Sequence, residues 1–329
     1  MKRVAALLAA VLLATALWGC GGGGAEPGAP KGATLVLDFQ PNAVHSGIYV
    51  AQANGDFKDE GIDLHIQEPS STADSAKLLE TGRADFAVMD INDFGIARER
   101  GLDVVAIAAI VQRPLASVIT RDANEIRTPA DLAGKTIGVT GVPSDDAVLD
   151  TILRSGGVDP SDVHRVTIGF NAVADLAAGK VDAATAFWNA EGVELQQQGI
   201  PIREFRVDQF GAPRYPELVI ATTTDRCDVA RGLSSGLQHG YEALTPGNQS
   251  ALGALLDAVP GLSRPDQGHQ FEALMKVHAF AAPNTGGVPS AELLPRPASA
   301  WVQWASEHGV ISPGAAPGVQ TGFTPDCPD

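Results

Sequence analysis

Several short segments of this chain carry side chains suited to gripping a small molecule. Asp38, Gln40, Asn42 and His45 crowd the first, with Tyr49 one helical turn further on. Asp90 and Asn92 sit in a second, and Trp188, Asn189 and Glu191 form a third. Tyr215 precedes an apolar run, and Ser71 lies in the hydroxyl-rich stretch Ser70-Ser71-Thr72. Carboxylates and amide oxygens accept N–H donors, while aromatic rings offer flat faces. With Phe39, these residue types suit a planar, nitrogen-rich heterocycle: its ring amine donates to a carboxylate, and its faces stack at about 0.5–1.5 kcal/mol per pair. An oxyanion calls instead for guanidinium groups or free helix N-termini. Arg113 and Arg214 are the guanidinium groups near these segments, so an anionic ligand is the alternative.

Other chemistries find less support. No Gly-x-Ser-x-Gly is present and no cysteine has a nearby histidine partner, so no nucleophile with its base is expected and the chain reads as a binder. The histidines show no paired ligand spacing and there is no Cys-x-x-Cys, so neither a metal nor another cofactor is expected. A formal net charge of −16 argues against nucleic acid or an anionic membrane surface, because phosphate binding needs clustered Lys and Arg. Ser71 and Ser144 serve equally well as plain helix caps, and His45 as a cap or packing residue.

The elements that must position these residues repeat. Thr34–Asp38 is a short apolar run read as a buried strand. A helix follows over His45–Asn54, stopped by Gly55, then a strand at Gly61–Ile66. Ser70-Ser71-Thr72 caps a helix through Leu79 that ends at Gly82, and Phe86–Val88 is a third strand. The order returns with a strand at Lys135–Val139, a helix from Ser144 to Arg154 stopped by Gly156-Gly157, a strand at Val163–Ile168, a helix from Asn171 through Leu176, and a strand at Ala183–Phe187. Gly82-Arg83-Ala84-Asp85 and Gly179-Lys180-Val181-Asp182 occupy matching places in the two units. Alternating strands and helices of this length imply mainly parallel sheets flanked by helices, hence two similar α/β lobes. Two apolar stretches, Leu115–Thr120 and Leu218–Thr223, are expected to cross between them, and the region after Asp228 is mostly helical, with a Gly- and Pro-rich loop from Ser312. Lobe 1 is thus expected over 34–118 and 222–329, lobe 2 over 119–221. In such sheets ligands bind beyond the C-terminal ends of the strands, where the segments named above fall.

The first twenty residues read as an address. Lys2 and Arg3 precede an apolar run from Val4 to Leu17, and Leu17-Trp18-Gly19-Cys20 resembles the lipobox of bacterial lipoproteins, which implies lipidation of Cys20. Residues 21–33 have the composition of a flexible tether. Cys227 and Cys327 remain. Paired, they would close a loop worth roughly 4–5 kcal/mol in chain-entropy terms, but sequence separation does not say whether their Cα atoms approach.

The segments Leu37–Asn42 with His45, Gly47–Ala51, Gly55–Lys58, Gln112–Leu115, Trp188–Leu195 and Tyr215–Leu218 together resemble the solute-binding proteins of ABC importers for pyrimidine precursors of thiamine, which share a fold with fungal thiamine-pyrimidine synthases. The resemblance spans roughly residues 34 to 223. It implies a periplasmic-binding-protein fold of two lobes joined by two crossing strands, with pocket contacts at Asn42, Tyr49, Trp188, Asn189, Glu191 and Tyr215. It also implies permease subunits as partners, a monomer, and attachment to the extracytoplasmic face of the membrane by lipid alone. The synthases place a lysine and a histidine in the third-strand loop for a pyridoxal cofactor; this chain has Met89 and Asp93 there and lacks their cysteine-rich run. Related binders take riboflavin, alkanesulfonates or nitrate. Cys20→Ser is expected to move the protein from the membrane pellet to the soluble extracytoplasmic fraction, as read by fractionation and immunoblotting.

Overall fold

A computed structural model describes residues 30–69, 74–141, 143–169, 171–247 and 249–325. Cys20, Ser71 and Cys327 lie outside these residues. Within Lys31–Asp329, the strands are β1 (Lys31–Val36), β2 (Ile62–Gln67), β3 (Phe86–Asp90), β4 (Val104–Val111), β5 (Ala116–Arg121), β6 (Thr136–Val139), β7 (His164–Thr167), β8 (Ala183–Phe187), β9 (Ile202–Arg206) and β10 (Leu218–Thr223). They form two five-stranded sheets, in the orders β2-β1-β3-β10-β4 and β7-β6-β8-β5-β9. Each is parallel except for its fourth strand, β10 in one and β5 in the other. Strand β1 starts at Lys31, inside the stretch expected to be tether.

The helices flanking these sheets are α1 (Ser46–Asn54), α2 (Asp56–Asp59), α3 (Asp74–Glu80), α4 (Ile91–Glu99), α5 (Pro143–Ser155), α6 (Ala172–Ala177) and α7 (Glu191–Gln197). After the sheets come α8 (Cys227–Glu242), α9 (Gln249–Ala258), α10 (Arg264–Lys276), α11 (Pro295–Glu307) and α12 (Ala316–Gln320). Helix α1 ends where expected, at Gly55, whose φ of 89° turns the chain left-handed and lets its N–H reach the Ala51 and Gln52 carbonyls.

The duplication is visible in hydrogen bonds. Asp85 accepts the Thr34 N–H on its carboxylate at 2.8 Å and donates its own N–H to Thr34 O; Asp182 does the same with Thr136, at 2.9 Å. The hydroxyl of Thr222 on β10 donates to Asp85 O, and that of Thr120 on β5 to Asp182 O. Each aspartate therefore pins the first strand, the third strand and the antiparallel fourth strand of its own sheet.

This arrangement corrects the expected crossings. Neither apolar stretch spans the lobes, because every residue of β5 pairs with both β8 and β9 or one of them, and β10 pairs with β3 and β4. A strand whose backbone groups are taken by two neighbours in one sheet has none left for another. The chain crosses instead through the links on either side of these strands, after β4 and after β9, so lobe 2 starts at Ala116 and β10 lies wholly in lobe 1.

The C-terminal helices also depart from expectation. Helices α8 and α9 pack on α1 in lobe 1, but Gln197 of α7 in lobe 2 pairs with His269 of α10. Trp301 and Trp304 of α11 join a core with Val118 and Ile137 of lobe 2. The Gly- and Pro-rich end is not all loop. Pro317 sits in the first turn of α12, where its missing N–H costs nothing, and Ala106 exchanges backbone bonds with Gly322 and Thr324, covering the outer edge of β4. Cys227 is disulfide-bonded to a partner outside the described residues.

Helices α1 and α8 touch at glycines: a Cβ on Gly240 would collide with the Gly47 carbonyl oxygen. Gly240→Ala is expected to lower stability by about 2–3 kcal/mol in urea denaturation. Gly253→Ala on α9, where nothing lies within 4 Å of the added carbon, should raise it by roughly 0.5–1 kcal/mol.

Candidate functional site

A cavity of about 1180 Å³ opens between the two sheets at the C-terminal ends of β1, β3, β6 and β8. Its lobe 1 wall begins with Asp38. The buried His45 ring accepts the Asn42 N–H at Nδ1, 3.1 Å away, so its proton is on Nε2 and is directed at Asp38 Oδ1, at 2.8 Å. Asn42 caps the short turn Ala43–His45: its Oδ1 accepts the Val44 N–H and its Nδ2 donates to Gln40 O. Asp90 ends β3 and caps α4, taking the Asn92 N–H at 2.6 Å, while Asn92 Oδ1 accepts the indole N–H of Trp301 at 3.0 Å.

Glu217 forms the floor. It is fully buried, and its Oε2 accepts the Leu115 N–H at 2.8 Å. The Asp90 carboxyl is close enough for its charge to act on Glu217, and among the described residues no N–H or O–H donates to Glu217 Oε1. Burial first, and the Asp90 charge second, hold Glu217 well above the usual carboxylate range; burial raises Asp90 too. Asp93, on the first turn of α4, is pushed up to about 7, by burial and then by the charges of Asp90 and Asp38.

From lobe 2, Asn189 and Glu191 complete the cleft. Glu191 Oε2 accepts the Phe187 N–H at 3.0 Å, and burial raises its pKa. Asn189 is 2% exposed, and its Oδ1 has no hydrogen-bond partner. Asp145 also lines this side and accepts the Thr140 N–H and hydroxyl.

Of the residues expected to bind ligand, Asp38, Gln40, Asn42, Asp90, Asn92, Asn189 and Glu191 line the cleft. Four do not. His45 sits behind Asp38, which it orients. Tyr49 is packed against Leu252 and Leu255. Trp188 is buried under the Arg206 guanidinium, 4.0 Å from its ring, with its indole N–H on Pro114 O. Tyr215 is buried against Trp304, with ring centroids 5.7 Å apart. Ser71 is outside the described residues. Among the described residues, the aromatic rings that line the cleft are those of Phe39 and Phe187.

The exchange of Phe187 for Trp188 is one residue at the end of β8, where successive side chains point to opposite faces. Glu217 and Asp93 were also missed as site residues. Asp93 had a signal, lying three residues after the helix-capping Asp90 and hence on the same first turn. Glu217 had none, since its partners are distant in sequence.

Neither expected guanidinium reaches the cleft. Arg113 pairs with Asp208 at 2.7 Å, and Arg214 donates to the carbonyls of Gln112, His278 and Ala281. Among the described residues the basic lining is Lys77 and Arg100. Met89, standing where the synthases have a lysine, has no amine and cannot form a Schiff base. Among the described residues no grouping of His, Cys, Asp and Glu is suited to a metal ion, and no helix is long and apolar enough to cross a membrane.

Two α/β lobes of this topology around a cleft define the fold of the periplasmic solute-binding proteins. The periplasmic nitrate-binding protein NrtA from Synechocystis PCC 6803 superimposes with a TM-score of 0.66 at 12% identity, over 91% of this chain and 88% of that one. Residues 42–246 match the NMT1/THI5 like family, and the chain belongs to it. It is 33% identical over 227 residues to the formylaminopyrimidine-binding protein of Halalkalibacterium halodurans, covering 68% of this chain and 69% of that protein. It is 26% identical over 238 residues to the 4-amino-5-hydroxymethyl-2-methylpyrimidine phosphate synthase of Legionella pneumophila subsp. pneumophila, covering 70% and 75%.

Because folding raises the Asp93 pKa, its contribution to stability is complete below pH 4 and fades as pH rises towards 7. Asp93→Asn should therefore lose less stability than the wild type between pH 4.5 and 7.5, by roughly 3 kcal/mol in urea denaturation.

Proposed function

We propose that this protein is the extracytoplasmic substrate-binding subunit of an ABC importer, lipid-anchored through Cys20, and that it captures a thiamine-related aminopyrimidine in the interlobe cleft. The observation that carries the reading is the polar character of that cleft: carboxylates and amide oxygens on both walls, with Arg113 and Arg214 committed elsewhere. An aminopyrimidine brings N–H donors to such a surface, whereas a sulfonate or nitrate brings only acceptors. Phe39 and Phe187 supply apolar faces for the ring in place of the buried tryptophan and tyrosines. The relative named as a formylaminopyrimidine-binding protein supports the same ligand class. A relative named as a synthase raises catalysis as a second reading, but Met89 cannot form a Schiff base with a pyridoxal cofactor, and this favours binding. The links after β4 and β9 would let the lobes close on ligand and present one surface to the permease.

Thermal-shift and calorimetric titration of the full chain with aminopyrimidines, riboflavin and alkanesulfonates tests the proposal. Aminopyrimidines are expected to raise Tm and sulfonates to leave it unchanged; a response to sulfonates alone would overturn it. Asn189→Ala should weaken aminopyrimidine binding about 10-fold or more while leaving the unliganded Tm within about 2 °C, since it removes an acceptor with no other partner.

A further inference from the structure

The hydrogen-bonding inventory of the cleft bears on the charge of its guest. On the lobe 1 side, Asp93 feels the charges of Asp90 and Asp38, and Glu217 that of Asp90, so these four acids form one interacting group. On the lobe 2 side, Glu191 feels Asp145 and Glu194. All seven line the same cavity, and among the described residues only Lys77 and Arg100 oppose them there.

The carboxylates of the cleft already take donors from the protein itself. Asp38 accepts the His45 Nε2–H, Asp90 the Asn92 N–H, Glu191 the Phe187 N–H and Asp145 the Thr140 N–H and hydroxyl. Among the described residues, several buried polar atoms of the lining have no hydrogen-bond partner: Asn189 Oδ1 and Glu217 Oε1, to which Ser75 Oγ, Gln267 Oε1 and Gln270 Oε1 add. Asn189 Oδ1 is buried on the lobe 2 wall, and Glu217 Oε1 is buried at the floor. Buried acceptors of this kind are normally satisfied, and a guest with N–H groups would supply the donors. A neutral guest would supply donors but leave the excess negative charge in place; a cationic N–H edge answers both, because charge-assisted hydrogen bonds to carboxylates are stronger than neutral ones.

We infer that the cleft selects a flat cation with an amidinium-type edge, two N–H donors flanking one carbon, over its neutral isostere. This rests on the reading of the interlobe cavity as the ligand site, and it narrows the ligand class to heterocycles bound in their ring-protonated form. An N–H of such a cation would donate to Glu217 Oε1, and a second to Asn189 Oδ1 or a neighbouring carboxylate.

The test uses probes that differ in charge and little in shape. Calorimetric titration of the full chain at pH 7 with benzamidine, a cation, and benzamide, its neutral counterpart, is expected to show benzamidine binding at least 10-fold tighter. Benzenesulfonate should not bind. Asp93→Asn should shrink the benzamidine-to-benzamide ratio at least 3-fold. Equal or tighter binding of benzamide, or no binding of benzamidine, overturns the inference whatever the variant does. A parallel titration with 4-amino-2-methylpyrimidine separates the two levels: if it binds while the cation shows no advantage, the aminopyrimidine reading stands and the charge selection falls. If it fails while benzamidine is preferred, the cation selection stands and the aminopyrimidine reading falls.

Discussion

Glu217 is the joint on which the two lobes and the cleft between them depend. Its N–H donates to Val111 O at the end of β4, its carbonyl accepts the Ile91 N–H at the start of α4, and its carboxyl takes the Leu115 N–H where the chain enters lobe 2. One residue thus ties both interlobe links to the loop after β3. Its carboxyl is buried with one backbone donor, the Leu115 N–H, and burial raises its pKa. The raised carboxyls of Asp90 and Asp93 follow from the same crowding.

Around that joint the molecule is built twice. The aspartates at 85 and 182 perform the same stapling in each sheet, with Thr222 and Thr120 as their partners on the antiparallel strands. The scaffold is symmetric but the walls it presents are not. Lobe 1 offers acids oriented by caps and by His45, whereas lobe 2 adds to its own acids, Glu191 and Asp145, an amide, Asn189, whose Oδ1 has no partner among the described residues. A fold shared with binders of nitrate leaves the choice of ligand to such side chains. Here the two guanidinium groups that would suit an anion brace the interlobe links instead.

The sequence by itself determined the parts that are local. Apolar runs, the glycine stop at Gly55, the matched Gly-x-x-Asp segments and the rule that ligands meet strand C-termini identified two α/β units and the loops that line the cleft. Asp38, Gln40, Asn42, Asp90, Asn92, Asn189 and Glu191 were legible because position in a loop after a strand is enough to place them there.

Tertiary packing decided the rest. Whether Phe187 or Trp188 faces the cleft turns on one step of a strand with a two-residue period, and Arg206 drew Trp188 to the other side. Tyr49 went to α9 and Tyr215 to α11, helices far along the chain whose docking no local pattern encodes. The two apolar stretches looked like bridges, yet pairing on both edges confined each to one sheet. Glu217 and Arg113 took their roles from partners about a hundred residues away, Leu115 and Asp208, which only the folded chain brings into contact.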